Sequence, residues 1–239
     1  MIESLILNLS SRDIITSRED ALLSSIIKRE RWFAAGEDLV VQGTRPSYST
    51  LLVDGFAARY KVLENGHRQI TAIHIAGDFV DLHAFQLKTM DHGILALSPC
   101  HVAFADHSEL KMLTETEPHL TRMLWLSTVI DGAIHREWIV AMGRKSAKSQ
   151  LAHIFCELFV RLQVVRRTDD QSYIFPLSQA VLADVLGLSL VHLNKTLQKL
   201  RQEDVLTWSN RVITVLDWQR LQGVAEFDAA YLNLVREPR

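Results

Sequence analysis

The side chains best placed to do chemistry lie between Leu177 and Leu206, in LSQAVLADVLGLSLVHLNKTLQKLRQEDVL. At about 100° per residue, Val191, Lys195 and Gln198 share one face of a helix, with His192 and Lys199 at its flanks. Leu190, Leu193, Leu197 and Leu200 recur on the opposite side and are predicted to point inward. No acid stands between Asp184 and Glu203, whereas Lys195, Lys199 and Arg201 supply three bases. Long donors on a rigid, acid-free face suit guanine edges and backbone phosphate, and His192 or Asn194 can add further base-edge bonds. The chemistry implied is the reading of double-stranded DNA.

Such a face must be held by a second helix at a sharp angle. Leu182, Ala183 and Leu186 form an apolar stripe upstream, Gly187 supplies the left-handed position at which a helix ends, and Ser189 is placed to cap the next. An ordinary helical hairpin with a solvated polar face has the same features. The sequel favours the DNA reading: Val205, Leu206 and Trp208 lead through Ser209 and Asn210 to Arg211, Val212, Ile213, Thr214 and Val215, two short strands around a turn. Two strands in that position form a wing, which carries Arg211 towards phosphate while the helix enters the major groove. The candidate DNA-binding residues are therefore Ser189, Val191, His192, Asn194, Lys195, Gln198, Lys199 and Arg211.

Upstream, glycines at 36, 43, 55, 66 and 77 punctuate β-rich segments, the rhythm of an antiparallel roll or jelly roll. Asn65-Gly66 predicts a two-residue type I′ hairpin between Phe56–Leu63 and His67–Ile75, followed by strands at 94–97 and 100–104. Helical texture begins after Asp106, with a short helix at 107–113. Pro118 then opens a long helix to about Arg144, and another spans 147–165 after a hinge at Gly143–Ser146. Residues 166–172 read as a polar connection. The fold class is α+β: an antiparallel β-roll (1–117), a long helix (118–144) and a winged helix-turn-helix (145–239). Apolar residues cover more than one face of the long helix, which fits either burial within a monomer or packing on the roll and on a second subunit.

With 239 residues, 48% hydrophobic, the chain can bury two cores, and its net charge of −2 means that any DNA affinity must come from a local patch. No run of about 18 apolar residues occurs, and the first residues make a poor signal peptide, so a cytoplasmic location without membrane contact is expected. Cys100 and Cys156 are too few for a zinc ribbon or an iron–sulfur cage built from one chain. Six histidines stand between His67 and His107, but none pairs at metal-ligand spacing, and no metal site is expected. Catalysis is not expected either, because no phosphate loop or nucleophile–base pair stands out. Two other classes stay open: a cupin-like metal-binding jelly roll, and an interaction scaffold carrying a vestigial helix-turn-helix.

The order roll, long helix, winged helix-turn-helix resembles the Crp–Fnr family of bacterial transcription regulators, the cyclic-AMP receptor and fumarate–nitrate regulator type. The residues carrying the resemblance are Phe33-Ala34-Ala35-Gly36-Glu37, Gln42-Gly43, Val53-Asp54-Gly55, Gly77-Asp78-Phe79-Val80, Leu186-Gly187-Leu188-Ser189 and Asn194-Lys195-Thr196-Leu197. It implies a homodimer that binds a palindromic promoter and meets RNA polymerase, with an N-terminal sensor. Relatives that bind cyclic nucleotides hold the ribose with a Glu soon after the Gly-Asp-Phe turn and the cyclic phosphate with a later Arg-Ser or Arg-Thr pair. Here Asp81 and Leu82 follow the turn, and Met90 and Asp91 stand where the pair would, so these four are the effector-pocket candidates. Losing two charge-assisted bonds of about 1.5–3 kcal/mol each predicts a roll that does not bind cyclic AMP in the usual way. Arg68, the only Arg between Tyr60 and Arg122, is not expected to substitute. The cysteine cluster of the oxygen-sensing branch is missing before residue 100, which argues against an iron–sulfur cofactor; haem or another small-molecule effector is left open. Relatives also place an acid and an Arg where this chain has Val191 and Lys195, so a different operator sequence is expected.

Overall fold

A computed structural model describes residues 1–239. Two helices that the sequence reading did not anticipate come first, α1 (Glu3–Ser10) and α2 (Ser17–Ile26). The second starts with a capping box: Thr16 Oγ1 accepts from the Glu19 amide at 3.3 Å, and the Thr16 amide donates to Glu19 Oε2 at 2.8 Å. The roll is two antiparallel sheets. One has the order β1 (Ile27–Phe33), β7 (Cys100–Asp106), β3 (Tyr48–Asp54); the other has β2 (Asp38–Val40), β6 (Gly93–Ala96), β4 (Ala57–Val62), β5 (Arg68–His74). Between them pack Leu52, Val80, Met90, Ile94 and Val102, all at most 1% exposed.

The β4–β5 hairpin departs from expectation. Leu63 and His67 close a three-residue loop, and only Gly66 has positive φ, at +82°; Asn65 stays right-handed and its Oδ1 accepts from the His67 amide at 3.0 Å. A three-residue hairpin needs one left-handed residue, not two. The two-residue turn occurs instead in the wing, where Asn210 (φ 49°) and Arg211 (φ 61°) join β10 (Leu206–Ser209) to β11 (Val212–Val215). Arg211 is thus in the turn itself rather than at the start of the strand.

After the short helices α3 (Ala84–Leu87) and α4 (His107–Thr116), α5 runs from Pro118 to Arg144. Its 27 residues make a rod of about 40 Å. Helix α6 (Ala147–Val164) leads into the C-terminal unit. Residues 166–172, expected as a plain connection, form most of a hairpin, β8 (Thr168–Asp169) and β9 (Ser172–Ile174), that extends the wing sheet to the order β10-β11-β9-β8. Phe155 of α6 packs on Phe175, which packs on Trp208, both pairs edge-on at 5.3 Å between centroids.

The C-terminal unit is seated on the roll. Ile70, Ile73 and Ile75 belong to the same apolar core as α6 and α7 (Gln179–Leu186). Arg68 donates from Nε (2.9 Å) and Nη2 (2.6 Å) to Asp184 Oδ2, and Gln69 Nε2 donates to the Val185 carbonyl at 3.1 Å. Arg161 of α6 reaches back to Asp78 of the Gly77 turn at 2.6 Å. Gly77 has φ +94°, and a Cβ there would stand 2.6 Å from the Ser4 carbonyl, so only glycine lets α1 pass so close. No single helix is long and apolar enough to cross a membrane.

Candidate nucleic-acid interface

Helix α7 ends at Gly187, whose φ of +64° is the left-handed C-cap that stops a helix and turns the chain. Ser189 then caps α8 (Leu190–Arg201), its Oγ accepting from the His192 amide at 3.3 Å. The two helices cross at 99°, in the range of a DNA-reading helix-turn-helix. Leu193, Leu197 and Leu200 are at most 2% exposed and anchor α8 on the core. Leu190, expected to join them, is 47% exposed; the inward position in the middle of the helix is taken by Thr196, whose hydroxyl donates to the His192 carbonyl at 2.9 Å. As an N1 residue, Leu190 lies beyond the rim of the surface that α7 can cover.

Val191 is 66% exposed, and His192, Lys195, Gln198 and Lys199 are exposed with it, on the face that the spacing assigned to them. Asn194 is half-buried at the edge of that face. Ser189 is exposed but already spends its Oγ on the cap, and Arg211 is exposed at the tip of the wing. The recognition surface therefore faces solvent rather than the body of its own chain. Bases nearby are differently used: Lys148 pairs with Glu203 at 2.6 Å, and Arg220 donates to the Glu203 carbonyl at 2.8 Å.

The effector-pocket candidates fare unevenly. Asp81 is fully buried and accepts from the Thr50 amide (2.5 Å) and Thr50 Oγ1 (2.9 Å), which ties the Gly77 turn to β3; burial pushes its pKa up to about 7. Met90 is 1% exposed in the core between the sheets. Both side chains are thus held inside the fold, and neither borders the polar pocket to which Asp91 belongs. Leu82 packs among the N-terminal helices and borders a cleft beneath α5 that Leu5, Ile130 and Ile134 share with Arg12, Asp78, Asp131 and Arg161. Asp91 is exposed at the mouth of a polar pocket.

That pocket lies where β4 and the 83–92 segment face α5, and most of its residues were not foreseen. Arg59, 6% exposed, donates to Asp131 Oδ2 at 2.9 Å and lies 2.9 Å from His135 Nε2. Thr128, Asp131 and His135 come from one face of α5, His83 and His92 from the roll. Arg59 lies immediately before the Tyr60–Arg122 stretch, so the roll does place a guanidinium at this seam. The signal was available: Arg59 directly follows Ala57-Ala58, in the buried first half of β4. The guanidinium is already committed to α5, and its Nε has no hydrogen-bond partner. Burial, then the Arg59 charge, lowers the pKa of His74, His83 and His92, His83 to about 4.

Comparison with known proteins covers both halves of the chain. The model of the Crp-like helix-turn-helix domain matches residues 149–224, and that of the cyclic nucleotide-binding domain matches residues 30–117. Transcriptional activator protein FnrL of Cereibacter sphaeroides is 25% identical over 217 residues, 89% of this chain and 86% of that protein. Nitrogen fixation regulation protein FixK of Bradyrhizobium diazoefficiens is 25% identical over 81% of this chain and 80% of its own length. Among solved structures, FixK2 from Bradyrhizobium japonicum superposes with a TM-score of 0.75 at 25% identity, over 84% of this chain and 98% of that one.

Proposed function

Because the chain belongs to the Crp–Fnr family and is a DNA-binding transcription regulator of the Fnr and FixK type, we propose that it acts in the cytoplasm as a homodimer. Two copies of α8 would enter successive major grooves of a palindromic promoter site, and the bound dimer would meet RNA polymerase. The observation that carries this reading is the outward face Val191, His192, Lys195, Gln198 and Lys199, free of acids and presented beside the Arg211 wing. Dimerisation is supported by α5, whose far side leaves Trp125 (68%), Val129 (48%), Ile139 (64%) and Val140 (51%) exposed along one stripe. Apolar residues at that spacing on a long helix call for a partner, and a second α5 presents the same stripe.

In this reading Lys195 donates to guanine or phosphate, and Val191 offers only methyl contact, so the operator differs from sites read by an acid and an Arg at those positions. The roll is a sensor that does not hold cyclic AMP in the usual manner. Leu82 offers the ribose no carboxylate, Met90 is in the core, and Arg59 already has Asp131 as its counter-ion.

The test is selection of bound fragments from a genomic pool by the purified full-length protein, followed by footprinting. Recovery of fragments sharing an inverted repeat, with half-sites about one helical turn apart, is expected. Equal retention of all fragments, or recovery of none, would defeat the reading.

A further inference from the structure

The roll carries a feature that neither DNA reading nor cyclic-nucleotide chemistry uses. His83 immediately precedes α3, where its carbonyl accepts from the Gln86 (3.0 Å) and Leu87 (2.9 Å) amides; His92 immediately precedes β6, whose Gly93 pairs with Tyr60 of β4. Both histidines therefore hang from fixed backbone. Their rings lie 5.0 Å apart, tilted by 43°. The Nε2 atoms of both are buried and have no hydrogen-bond partner, and His92 is only 5% exposed. Asp91 Oδ1 is 2.8 Å from His92 Nδ1. One donor atom each of His83, Asp91 and His92 lies within 4.8 Å of the other two.

We propose that His83, Asp91 and His92 form a binding site for a first-row divalent transition-metal ion of the zinc type, at the seam between the roll and α5. Two imidazoles and a carboxylate are the donors such ions prefer, whereas calcium and magnesium take all-oxygen shells. His83 and His92 each present an Nε2 with no protein partner, and the Asp91 carboxylate, 61% exposed, is free to leave His92 Nδ1 and take a place in the shell. The charge of Arg59 is answered by Asp131 at 2.9 Å, and Asp91 adds a negative charge at the site. The edge of a tetrahedral zinc shell is about 3.3 Å, from metal–nitrogen bonds of about 2.0–2.1 Å, so modest side-chain rotations would close it. A remaining coordination position would open on the pocket lined by Thr128, Asp131 and His135, which places the ion against the helix that joins sensor to reader.

The experiment uses full-length, tag-free protein stripped with a chelator and titrated with Zn²⁺ by calorimetry and with Co²⁺ by visible absorption. One ion per chain is expected, with the strong ligand-field bands of low-coordinate cobalt. His83→Ala and His92→Ala should each weaken binding about 100-fold or more, and Asp91→Asn about 10-fold or more. His101→Ala, on the opposite sheet and stacked on Trp32 at 4.4 Å, should leave it unchanged. Circular dichroism checks the fold, and His92→Gln, which keeps the side chain's polarity, repeats the test if His92→Ala unfolds. Titration without saturable binding, or a His92 variant that is folded and binds within about threefold of the parent, would overturn the site. Metal is read directly, so its failure and the failure of DNA binding are distinguishable.

Discussion

The outer face of α8 and the pocket beneath α5 are both assembled from bases and histidines, yet they are built in opposite ways. On α8, residues three and four apart in the chain make the whole surface, and the helix presents them outward with no acid to occupy them. In the pocket, Arg59, His83, His92, Asp131 and His135 come from three separate segments, β4, residues 83–92 and α5, and the charge of Arg59 is spent on Asp131 at 2.9 Å. The first surface is ready for an external polyanion. The second is a joint, whose groups hold the roll to the long helix. Mutations in the two places should therefore separate binding from stability.

The sharpest break comes from α5, which the reader needs if it is to use two half-sites. Trp125→Glu combined with Ile139→Glu places charges on the exposed stripe and should yield monomers by sedimentation. Affinity for a two-half-site fragment should fall about 10²- to 10⁴-fold, the loss of an intramolecular second contact. A variant that stays dimeric would move the seam elsewhere. In the joint, Asp131→Ala strands the buried Arg59 guanidinium. Removing one partner of a fully buried pair costs about 3–5 kcal/mol, and the partial exposure of Asp131, 31%, brings the expectation to about 2–3 kcal/mol in denaturant unfolding. Arg59→Met with Asp131→Leu should recover most of that loss. If Asp131→Ala leaves stability untouched but abolishes DNA binding, the contrast between the two regions fails.

For the reader, Lys195→Ala should leave the unfolding midpoint nearly unchanged, because Lys195 is exposed. Specific binding should weaken by about 1–3 kcal/mol if the ammonium touches a base. Uniform weakening on all sequences, with the log–log salt slope reduced by about one, would identify a phosphate contact instead.

The same contrast explains what could be read in advance. The α8 face, Gly187 and the Pro118 helix start follow from periodicities and caps that operate within a few residues, and these are where expectation and structure meet. Errors arise where tertiary packing decides. Leu190 has the right spacing but no neighbour to bury it, and Asn65-Gly66 admits two hairpin lengths, of which the β4–β5 pairing selects the longer. Asp81 has the composition of a ligand-binding acid, yet Thr50, 31 residues away, makes it a clamp between the Gly77 turn and β3. Arg59 after Ala57-Ala58 hints locally at a buried charge, but its meeting with the His83–His92 pair requires β4, the 83–92 segment and α5 to be brought together, and no local pattern encodes that.

The smallest expected effect concerns another joint, where the start of α5 meets the N-terminal helices. His119 Nδ1 is 2.5 Å from Glu19 Oε1 and its Nε2 is 3.1 Å from Asp13 Oδ2. The hydrogen bond to Glu19 raises the His119 pKa above its ordinary value, burial opposes it, and Asp13 adds to the rise. A histidine whose folded pKa exceeds its unfolded value binds its proton more tightly when native. Its contribution to stability is therefore complete below the unfolded pKa of about 6.5 and disappears as pH rises through the folded value. Between pH 6 and pH 9 the parent should lose a small increment of stability that His119→Gln lacks. Urea midpoints measured at both values decide it. A variant that loses the same increment would show that the proton responsible resides elsewhere, and that this joint, unlike the one at Arg59, is indifferent to charge.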